Sequence, residues 1–489
     1  MNAPADRRWL ALYILCLGTL MIVLDSTIVN VALPSIKRGL HFNQSDLAWV
    51  VNAYLLTFGG FLLLGGRLGD LFGPRRLFIG GLILFTCASV VCGLAQSQGM
   101  LVAARAVQGF GGALASAVSL SLTITLFTEP RERARAMGIF GFVASGGGTL
   151  GVLLGGILTQ ILSWHWIFWV NVPIGAIVVM LSRRLLPEIE GRSARLDVAG
   201  AVTVTGGSIL ATYAIVNGNT AGWGSLQTLG LLGGSLVVFA LFVLIETRVA
   251  APLMPLRLFK LSNLRTANLV AVLWAAAMFA WFFLSALYLQ QVLGYDPLGV
   301  GLAFLPANLI MGALSIAVSA RLVMRYGFRR PMAGGLLLAT IGLLLFARAP
   351  TYGHYIVDVL PSMVLLGIGA GIAFNPMLLA AMGDVAPEEN GLASGLVNTS
   401  FMMGGALGLA VLASIAAART NALRHAGHSS AVALTGGYHV AFLAGGGFAL
   451  AGALLGALVI REPQSAGAPQ AASEPGPQPE GAAPHAARA

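Results

Sequence analysis

The amino-acid sequence predicts an all-α polytopic membrane protein of fourteen spans, built as two six-helix halves with two helices inserted between them. Three observations predict this fold. Hydrophobic residues make up 57% of the 489 residues and charged residues 9%, whereas soluble proteins carry about 25% charge. Apolar runs of about 20 residues, the length that crosses a bilayer, recur along the chain. Two groups of residues are also repeated at a nearly constant offset.

The apolar runs give the predicted spans. They are 10–33, 47–66, 77–95, 100–127, 136–161, 165–186, 198–216, 227–246, 266–290, 298–320, 331–349, 356–380, 392–418 and 438–460. The first run is too long for the core of a signal peptide and has no clear small-residue cleavage site, so we interpret it as a spanning helix.

The basic residues predict the orientation. Of the 28 Lys and Arg, 22 fall in predicted inner segments, five in outer loops, and Arg105 within span 4. This asymmetry fits the positive-inside rule, with both termini cytoplasmic, in the cytoplasmic (inner) membrane. The acidic inner loop 381–391 has no Lys or Arg, but Asp and Glu contribute little to orientation. The basic clusters form no continuous stripe, which argues against nucleic acid as a partner.

Several functional classes are disfavoured by missing sequence signals. The sequence has no Cys/His metal cluster, P-loop, nucleophile elbow or sizeable soluble domain, so we expect neither an enzyme nor a metal site. The three cysteines lie in apolar segments without ligand spacing, and we interpret them as packing residues. Residues 462–489 are rich in Ala, Pro, Gly and Glu and predict a disordered tail.

The internal repeat predicts the division of the chain. The pattern around Arg67 and Gly73 recurs around Arg321 and Gly327, at an offset of 254. A second set recurs at an offset of 257 from Pro130, Glu132, Ala136, Gly138, Gly147, Gly148, Leu150 and Gly151. Matching positions lie eight spans apart, which indicates two helices between six-helix halves. Such parallel halves are typical of transporters, with a path between them near the midplane.

The predicted division therefore has five parts. They are a cytoplasmic N-terminus (1–9), the first half (10–186), an inserted two-helix segment with its loops (187–265), the second half (266–461) and the cytoplasmic tail (462–489).

Two ionisable residues lie deep in predicted spans. Asp25 interrupts the apolar run MIVLDSTIVNVALP of span 1, and Arg105 lies in span 4 with Gln108 three residues later on the same helix face. An intramembrane charge is costly and marks a functional site by default. Arg105 could instead snorkel to the outer surface. Burial and a nearby cation shift the proton affinity of a carboxylate in opposite directions, so Asp25 is our candidate proton site.

A glycine-rich, charged segment follows span 2. It reads GGRLGDLFGPRR, with Gly66, Asp70, Gly73, Arg75 and Arg76 as the candidate gating loop. Glycines allow tight turning, and Asp70 can accept backbone hydrogen bonds at a helix N-terminus or pair with the arginines. An ordinary positive-inside turn is the alternative, although the repeat at 321–330 favours a patterned gate.

A glycine stripe marks span 5. Gly147, Gly151 and Gly155 recur every four residues and predict close packing against a neighbouring helix. Further along the chain, WHWIFWVNVPIG combines interfacial tryptophans with Asn171 and Pro173, which indicate a break in span 6.

Taken together, these motifs resemble the major facilitator superfamily, and most closely its fourteen-helix drug:proton antiporter branch. The resemblance runs from about residue 10 to 460. It implies alternating access, proton-driven export of lipophilic molecules, a protonatable Asp25, a functional Arg105 and a gating loop at Asp70 and Arg75. Two positions depart from the family pattern. Val152 stands where a proline usually follows the glycine, and Leu71 stands where a basic residue often follows the aspartate.

The sequence thus predicts a proton-coupled efflux transporter for amphipathic small molecules such as drugs. Its partners are the bilayer, its substrate and protons, with a periplasmic adaptor in addition if the host is Gram-negative. The proton gradient supplies the energy and no cofactor is expected. Polar, aromatic and Met side chains of the central helices are candidates for the substrate cavity, with simple packing as the alternative. They are Asn30, Asn52, Tyr54, Gln108, Trp274, Phe279, Phe283, Tyr288, Asn308, Asn375, Asn398 and Met402.

Two other transport functions remain open at this point. One is a dedicated exporter of a single endogenous metabolite or lipid. The other is a proton-coupled uptake symporter, which Val152 leaves possible because span 5 is tied to the direction of transport.

Overall fold

The computed structural model describes residues 5–43, 46–127, 129–188, 191, 197–250, 252–386 and 389–462, and this part contains helices but no strands. The α-helices are α1 Ala5–Leu40, α2 Trp49–Phe72, α3 Pro74–Gly93, α4 Gln98–Leu126, α5 Pro130–Ile161, α6 Trp166–Trp169, α7 Asn171–Leu185, α8 Val198–Ala221, α9 Leu226–Arg248, α10 Ser262–Gln291, α11 Pro297–Ala317, α12 Ser319–Tyr326, α13 Arg329–Phe346, α14 Leu360–Met382, α15 Asn390–His425 and α16 Ser430–Val459.

The helices agree with the predicted spans. In the described part of the chain, thirteen helical segments are long and apolar enough to cross a membrane. Predicted span 5 lies within the 32-residue helix α5, whose end Leu150–Ile161 is a shorter apolar segment. Helices α6 and α7 together form one span, Trp166–Leu185, and α12 continues α11. The prediction of an all-α polytopic membrane protein is confirmed.

Three predicted boundaries need correction. Helix α2 continues to Phe72 and α3 begins at Pro74, so the predicted gating loop is a single residue, Gly73. Gly73 has φ +87°, a backbone conformation that favours glycine, and proline suits the first position of a helix. The break in span 6 falls at Val170, directly before Asn171. The predicted tail lies outside the described residues from position 463 onward.

The helices pack in two groups. Helices α1–α5 and α7 contact one another, as do α10, α11 and α13–α16. The most extensive contacts between the groups are made by two helix pairs, α5 with α11 and α2 with α15, and α1 also contacts α10 and α11. The seam between the groups therefore runs between these two pairs.

The sequence repeat appears as equivalent helix contacts. A Cβ atom on Gly147 of α5 would lie 3.0 Å from Val23 of α1. Its counterpart at the offset of 257 is Gly404 of α15, where a Cβ would lie 2.6 Å from the Cα of Val272 in α10. Positions paired by sequence thus make the same kind of close contact, each between the first and the fifth helix of its group.

Inserted helices α8 and α9 lie beside the α2–α15 pair. They pack on each other, and α8 contacts both α2 and α15. Asn219 of α8 donates from Nδ2 to the backbone oxygen of Ser414 in α15, at 2.8 Å. Thr205 of α8 lies against Gly60 of α2. The inserted pair therefore contacts both groups at the seam.

Candidate functional site

A fully buried ion pair joins α1 and α4. The Nη1 atom of Arg105 lies 2.5 Å from Oδ2 of Asp25, and neither residue is exposed to solvent. The structure thus brings together the two deep charges that the sequence singled out.

The other carboxylate oxygen of Asp25 accepts two amide donors. Nε2 of Gln108 donates to Oδ1 at 2.8 Å, and Nδ2 of Asn171 donates to it at 2.9 Å. Ser89 of α3 accepts from Gln108 Nε2 at 2.7 Å. Four helices, α1, α3, α4 and α7, therefore contribute one buried polar network around a single carboxylate.

The guanidinium of Arg105 makes further hydrogen bonds and an aromatic contact besides the ion pair. Nε donates to the backbone oxygen of Val50 at 3.0 Å, and Nη1 also donates to Oε1 of Gln108 at 2.7 Å. The Tyr54 ring faces the guanidinium, with 4.4 Å from Cζ to the ring centroid. These contacts favour a buried cation, because both hydrogen bonds and an aromatic face replace its water.

Small residues let these helices approach closely enough. A Cβ atom on Gly109 of α4 would lie 3.0 Å from the Cα of Tyr54 in α2. A Cβ on Gly81 of α3 would lie 2.8 Å from the backbone oxygen of Gly111 in α4. Short interhelical distances allow side chains of α4 and α7 to reach the Asp25 carboxylate, with Ser89 of α3 behind them.

The predicted glycine stripe of α5 packs against the helix that carries Asp25. A Cβ on Gly151 would lie 2.8 Å from the backbone oxygen of Leu24, and one on Gly155 would lie 2.6 Å from that of Ile28. The neighbouring Gly156 faces the other group, 2.7 Å by the same measure from the backbone oxygen of Pro297 in α11. Helix α5 thus connects the Asp25 helix to the second helix group.

The arginines of the predicted gating loop contact the segment after α7. Arg76 makes an ion pair with Glu188 at 2.8 Å, Arg75 lies 3.6 Å from the same carboxylate, and Arg75 also donates to the backbone oxygen of Arg183. The hydrogen bond from Arg76 lowers the pKa of Glu188, and the two positive charges add to this effect. These arginines therefore tether α3 to the end of α7.

Asp70 and Gly66 line a cavity instead. The cavity measures about 1010 Å³ and lies between the ends of α2, α4 and α15 on the face predicted to be cytoplasmic. Among the described residues, none donates a hydrogen bond to Asp70. Residues 249–250 and 252–261, which we call the connector because they lie between α9 and α10, contribute one wall. The polar and charged lining residues are Arg67, Asp70, Ser116, Ser121, Thr125, Arg257, Glu389, Ser394 and Asn398.

The other cavity candidates have different surroundings. Asn398 lines the inner cavity, while Gln108 and Tyr54 belong to the Asp25 network. Tyr288 packs against Phe346 and Tyr438 inside the second group and donates to Pro350. Met402 contacts Gly59 of α2 at the seam. The candidates with buried or half-buried side chains elsewhere in the helix groups are Asn30, Asn52, Trp274, Phe279, Phe283, Asn308 and Asn375.

Two members of the network were not predicted as functional residues. Asn171 stood out only as part of a helix break, and Ser89 gave no signal in the sequence. Both lie in helices that approach Asp25 only in the folded chain, at sequence separations of 146 for Asn171 and 64 for Ser89. A polar residue within a span is the one feature that could have suggested them.

Comparison with known sequences identifies the family. The family model of the Major Facilitator Superfamily matches residues 15–409. The chain is 38% identical over 467 residues to the puromycin resistance protein pur8 of Streptomyces alboniger, covering 94% of this chain and 92% of that one. It is 39% identical to the cephamycin export protein CmcT of Amycolatopsis lactamdurans, with 84% and 85% covered. It is 33% identical to the tetracenomycin C resistance and export protein of Streptomyces glaucescens, with 84% and 77% covered.

Comparison with solved structures agrees at the level of the fold. The POT family transporter PepTSo superposes with a TM-score of 0.67 at 14% identity, covering 94% of this chain and 98% of that one. A bacterial homologue of the human lysosomal transporter Spinster, solved inward-facing, superposes with a TM-score of 0.65 at 16% identity and the same coverage. The extent of the sequence match shows that this chain belongs to the Major Facilitator Superfamily.

Proposed function

We propose that this protein exports amphipathic, lipophilic small molecules across the cytoplasmic membrane in exchange for protons. The observation that carries the proposal is the buried pair of Asp25 and Arg105, within a chain whose relatives are named for antibiotic resistance and export. An enzyme would need reactive groups facing a substrate site, whereas this network is closed and holds one titratable carboxylate.

The proton acts on the ion pair in this proposal. A proton on Asp25 removes the charge that holds Arg105, and the guanidinium then keeps only its contacts with Val50, Gln108 and Tyr54. The loss of a buried charge pair changes the packing of α1 against α4. Because α5 packs on α1 and on α11, the change reaches the seam between the two groups. Proton binding is thereby coupled to alternating access.

The substrate enters at the inner cavity in this proposal. With both termini cytoplasmic, as the basic residues predict, the 1010 Å³ cavity opens to the cytoplasm. Its volume is sufficient for a drug-sized molecule. The two helix groups, residues 10–186 and 266–461, are the moving halves. The contacts of Arg75 and Arg76 with Glu188 belong to the gate on the inner side.

The number of different substrates distinguishes two versions of the proposed function, a dedicated exporter and a broad-range exporter. Several relatives are named for a single antibiotic, such as cephamycin or tetracenomycin C, which favours a dedicated exporter as the second candidate. Another relative is the multidrug resistance protein Stp of Mycobacterium tuberculosis, at 37% identity, which favours a broad range.

An efflux panel in an efflux-deficient host tests both the direction and the energy source. Cells that express the protein should accumulate less puromycin, ethidium or tetracenomycin-like polyketide than control cells, and a protonophore should abolish the difference. A response to several unrelated compounds indicates broad export, and a response to one indicates a dedicated exporter. Greater accumulation in expressing cells would show uptake and contradict the proposal.

A further inference from the structure

Two buried carboxyl groups face each other at the inner end of the inserted helices. Asp197 precedes α8 and is 2% exposed, and Glu246 lies in the last turn of α9 and is 4% exposed. A Cβ atom on Gly200 would lie 2.5 Å from Oδ2 of Asp197 and 2.8 Å from Oε1 of Glu246, so these two oxygens are neighbours. The two carboxyl groups are within hydrogen-bonding reach of each other.

Each carboxyl group of this pair has one oxygen with a hydrogen-bond partner and one oxygen without. Oδ1 of Asp197 accepts from the backbone N–H of Gly200 at 2.7 Å, and Oε2 of Glu246 accepts from that of Met254 at 3.0 Å. The two remaining oxygens, Oδ2 of Asp197 and Oε1 of Glu246, are buried without a hydrogen-bond partner. One proton between these two oxygens would satisfy both, whereas two ionised carboxylates at this distance repel each other strongly in a buried setting.

The surroundings of the pair provide no compensating cation among the described residues. Asp197 is the ionisable group that acts on Glu246, and the connector presents backbone N–H groups. Arg248, two residues further along α9, is exposed. Helices α2 and α15 also pack on α8. The charged residues at the inner end of α2 are Arg67 and Asp70, which line the inner cavity. Glu389, at the start of α15, forms an ion pair with Arg257.

We propose that Asp197 and Glu246 form a second proton-binding site, which holds one shared proton and fixes the connector beside the inner cavity. Asp197 lies at the N-terminus of α8, where backbone N–H groups and the helix dipole favour a negative charge. The proton therefore resides on Oε1 of Glu246, which donates to Oδ2 of Asp197. This site lies outside the Asp25 network, at the inner ends of helices α8 and α9, which that network does not use.

The pair reaches the cavity through the connector. Glu246 binds the N–H of Met254, and the neighbouring Leu253 packs against Leu64 of α2 and Ala201 of α8. Connector residues Ala250, Pro252, Pro255 and Arg257 line the inner cavity. Loss of the shared proton separates the ends of α8 and α9 and releases this wall, so cytoplasmic pH acts on the cavity directly.

Thermal unfolding against pH tests the shared proton. In the unfolded chain both carboxyl groups ionise above about pH 4–5. The folded pair keeps one proton to higher pH, so the folded state binds more protons in this window and its stability falls as pH rises. The wild-type Tm should therefore fall from pH 5.5 to pH 8 by at least about 2 °C more than the Tm of Glu246→Gln. That variant mimics the one-proton pair at every pH.

The controls separate this site from the others. Asp197→Asn, which keeps the cap on α8, should flatten the pH profile in the same way. Glu188→Gln, at an exposed glutamate, should keep the wild-type profile. Asp25→Asn should show the same additional fall of Tm as the wild type. The test of the shared proton is therefore independent of the proposed function. Equal falls of Tm in wild type and Glu246→Gln would overturn the shared proton.

Hydrogen exchange tests the link to the connector. At pH 8, the amides of residues 253, 254 and 256–261 should exchange at least about threefold faster in the wild type than in Glu246→Gln, because the wild-type pair has lost its proton. At pH 6 the two proteins should exchange alike, and the comparison at one pH removes the intrinsic pH dependence of exchange. Equal exchange at both values would overturn the control of the connector by this pair.

Discussion

Arg105 donates to Asp25 over 2.5 Å between two helices whose contributing residues are 80 positions apart, and both side chains are fully buried. A charge pair in such a setting is stable only with both partners present, since an unpaired buried charge costs about 3–5 kcal/mol. The pair therefore behaves as one unit, and its response to substitution can be predicted.

Removal of one partner should destabilise the protein more than removal of both. Arg105→Gln leaves Asp25 buried without a cation and should lower the free energy of unfolding by about 3–5 kcal/mol. Asp25→Asn together with Arg105→Gln should recover at least half of this loss. Thermal unfolding in nanodiscs of the two single variants and the double variant gives the coupling energy. Additive losses would show that the two residues do not stabilise each other.

Asn171 should stabilise the polar network around Asp25. Its amide donates to Asp25 Oδ1 at 2.9 Å. Asn171→Ala should therefore lower the free energy of unfolding by about 1.5–3 kcal/mol, the typical contribution of a hydrogen bond to a charged group. Thermal unfolding in nanodiscs checks this. Ser182→Ala, at a buried serine of the same helix whose hydroxyl has no hydrogen-bond partner among the described residues, is the control and should lose less than half as much.

Two glycines of α5, one in the glycine stripe and one beside it, should respond differently to an added methyl group. A Cβ at Gly151 would lie 2.8 Å from the backbone oxygen of Leu24, which cannot move without shifting α1. At Gly148 the nearest atom would lie 3.9 Å away, on the side chain of Thr27. Gly151→Ala should therefore reduce transport at least about tenfold or prevent folding, whereas Gly148→Ala should retain it. Similar activity of both variants would contradict the close packing of α1 and α5.

The ion pair between Arg76 of α3 and Glu188, in the segment after α7, should be lost at acidic pH. Arg76 lowers the pKa of Glu188 below its ordinary value near 4.5, so the ion pair is complete above that value and is lost as the pH falls through the lowered pKa. Glu188→Gln should speed amide exchange in the first turn of α3 at pH 7. At pH 3 the wild type should exchange like the variant. Glu132→Gln, which breaks a different ion pair with Arg8, should leave this turn unchanged.

Much of the fold could be predicted from the sequence because membrane spans depend on local composition. Apolar runs carry that information without any long-range contact. The ends of α2 and α3 were harder to predict, since an apolar run stops before the helix does. Polar residues such as Arg67 and Asp70 continue the helix at the membrane surface, up to Gly73.

The site was predictable in part. Asp25 and Arg105 stood out because each is a charge in an apolar span, and that signal is local. Their contact, and the positions of Ser89 and Asn171 around it, depend on how four helices cross, which no short pattern records. The Asp197–Glu246 pair escaped notice for the same reason. Each carboxylate lies near a span end, where a charge is ordinary, and only the fold buries them together.

Proton movement in everted vesicles tests the central claim, that Asp25 carries the coupled proton. With an imposed pH gradient, a substrate identified in the efflux panel should drive proton release from wild-type vesicles, and Asp25→Asn should abolish it while the protein still folds and inserts. Asp358→Asn, at a carboxylate just before α14, should behave like the wild type. Substrate-driven proton release at the wild-type rate in Asp25→Asn would contradict the account.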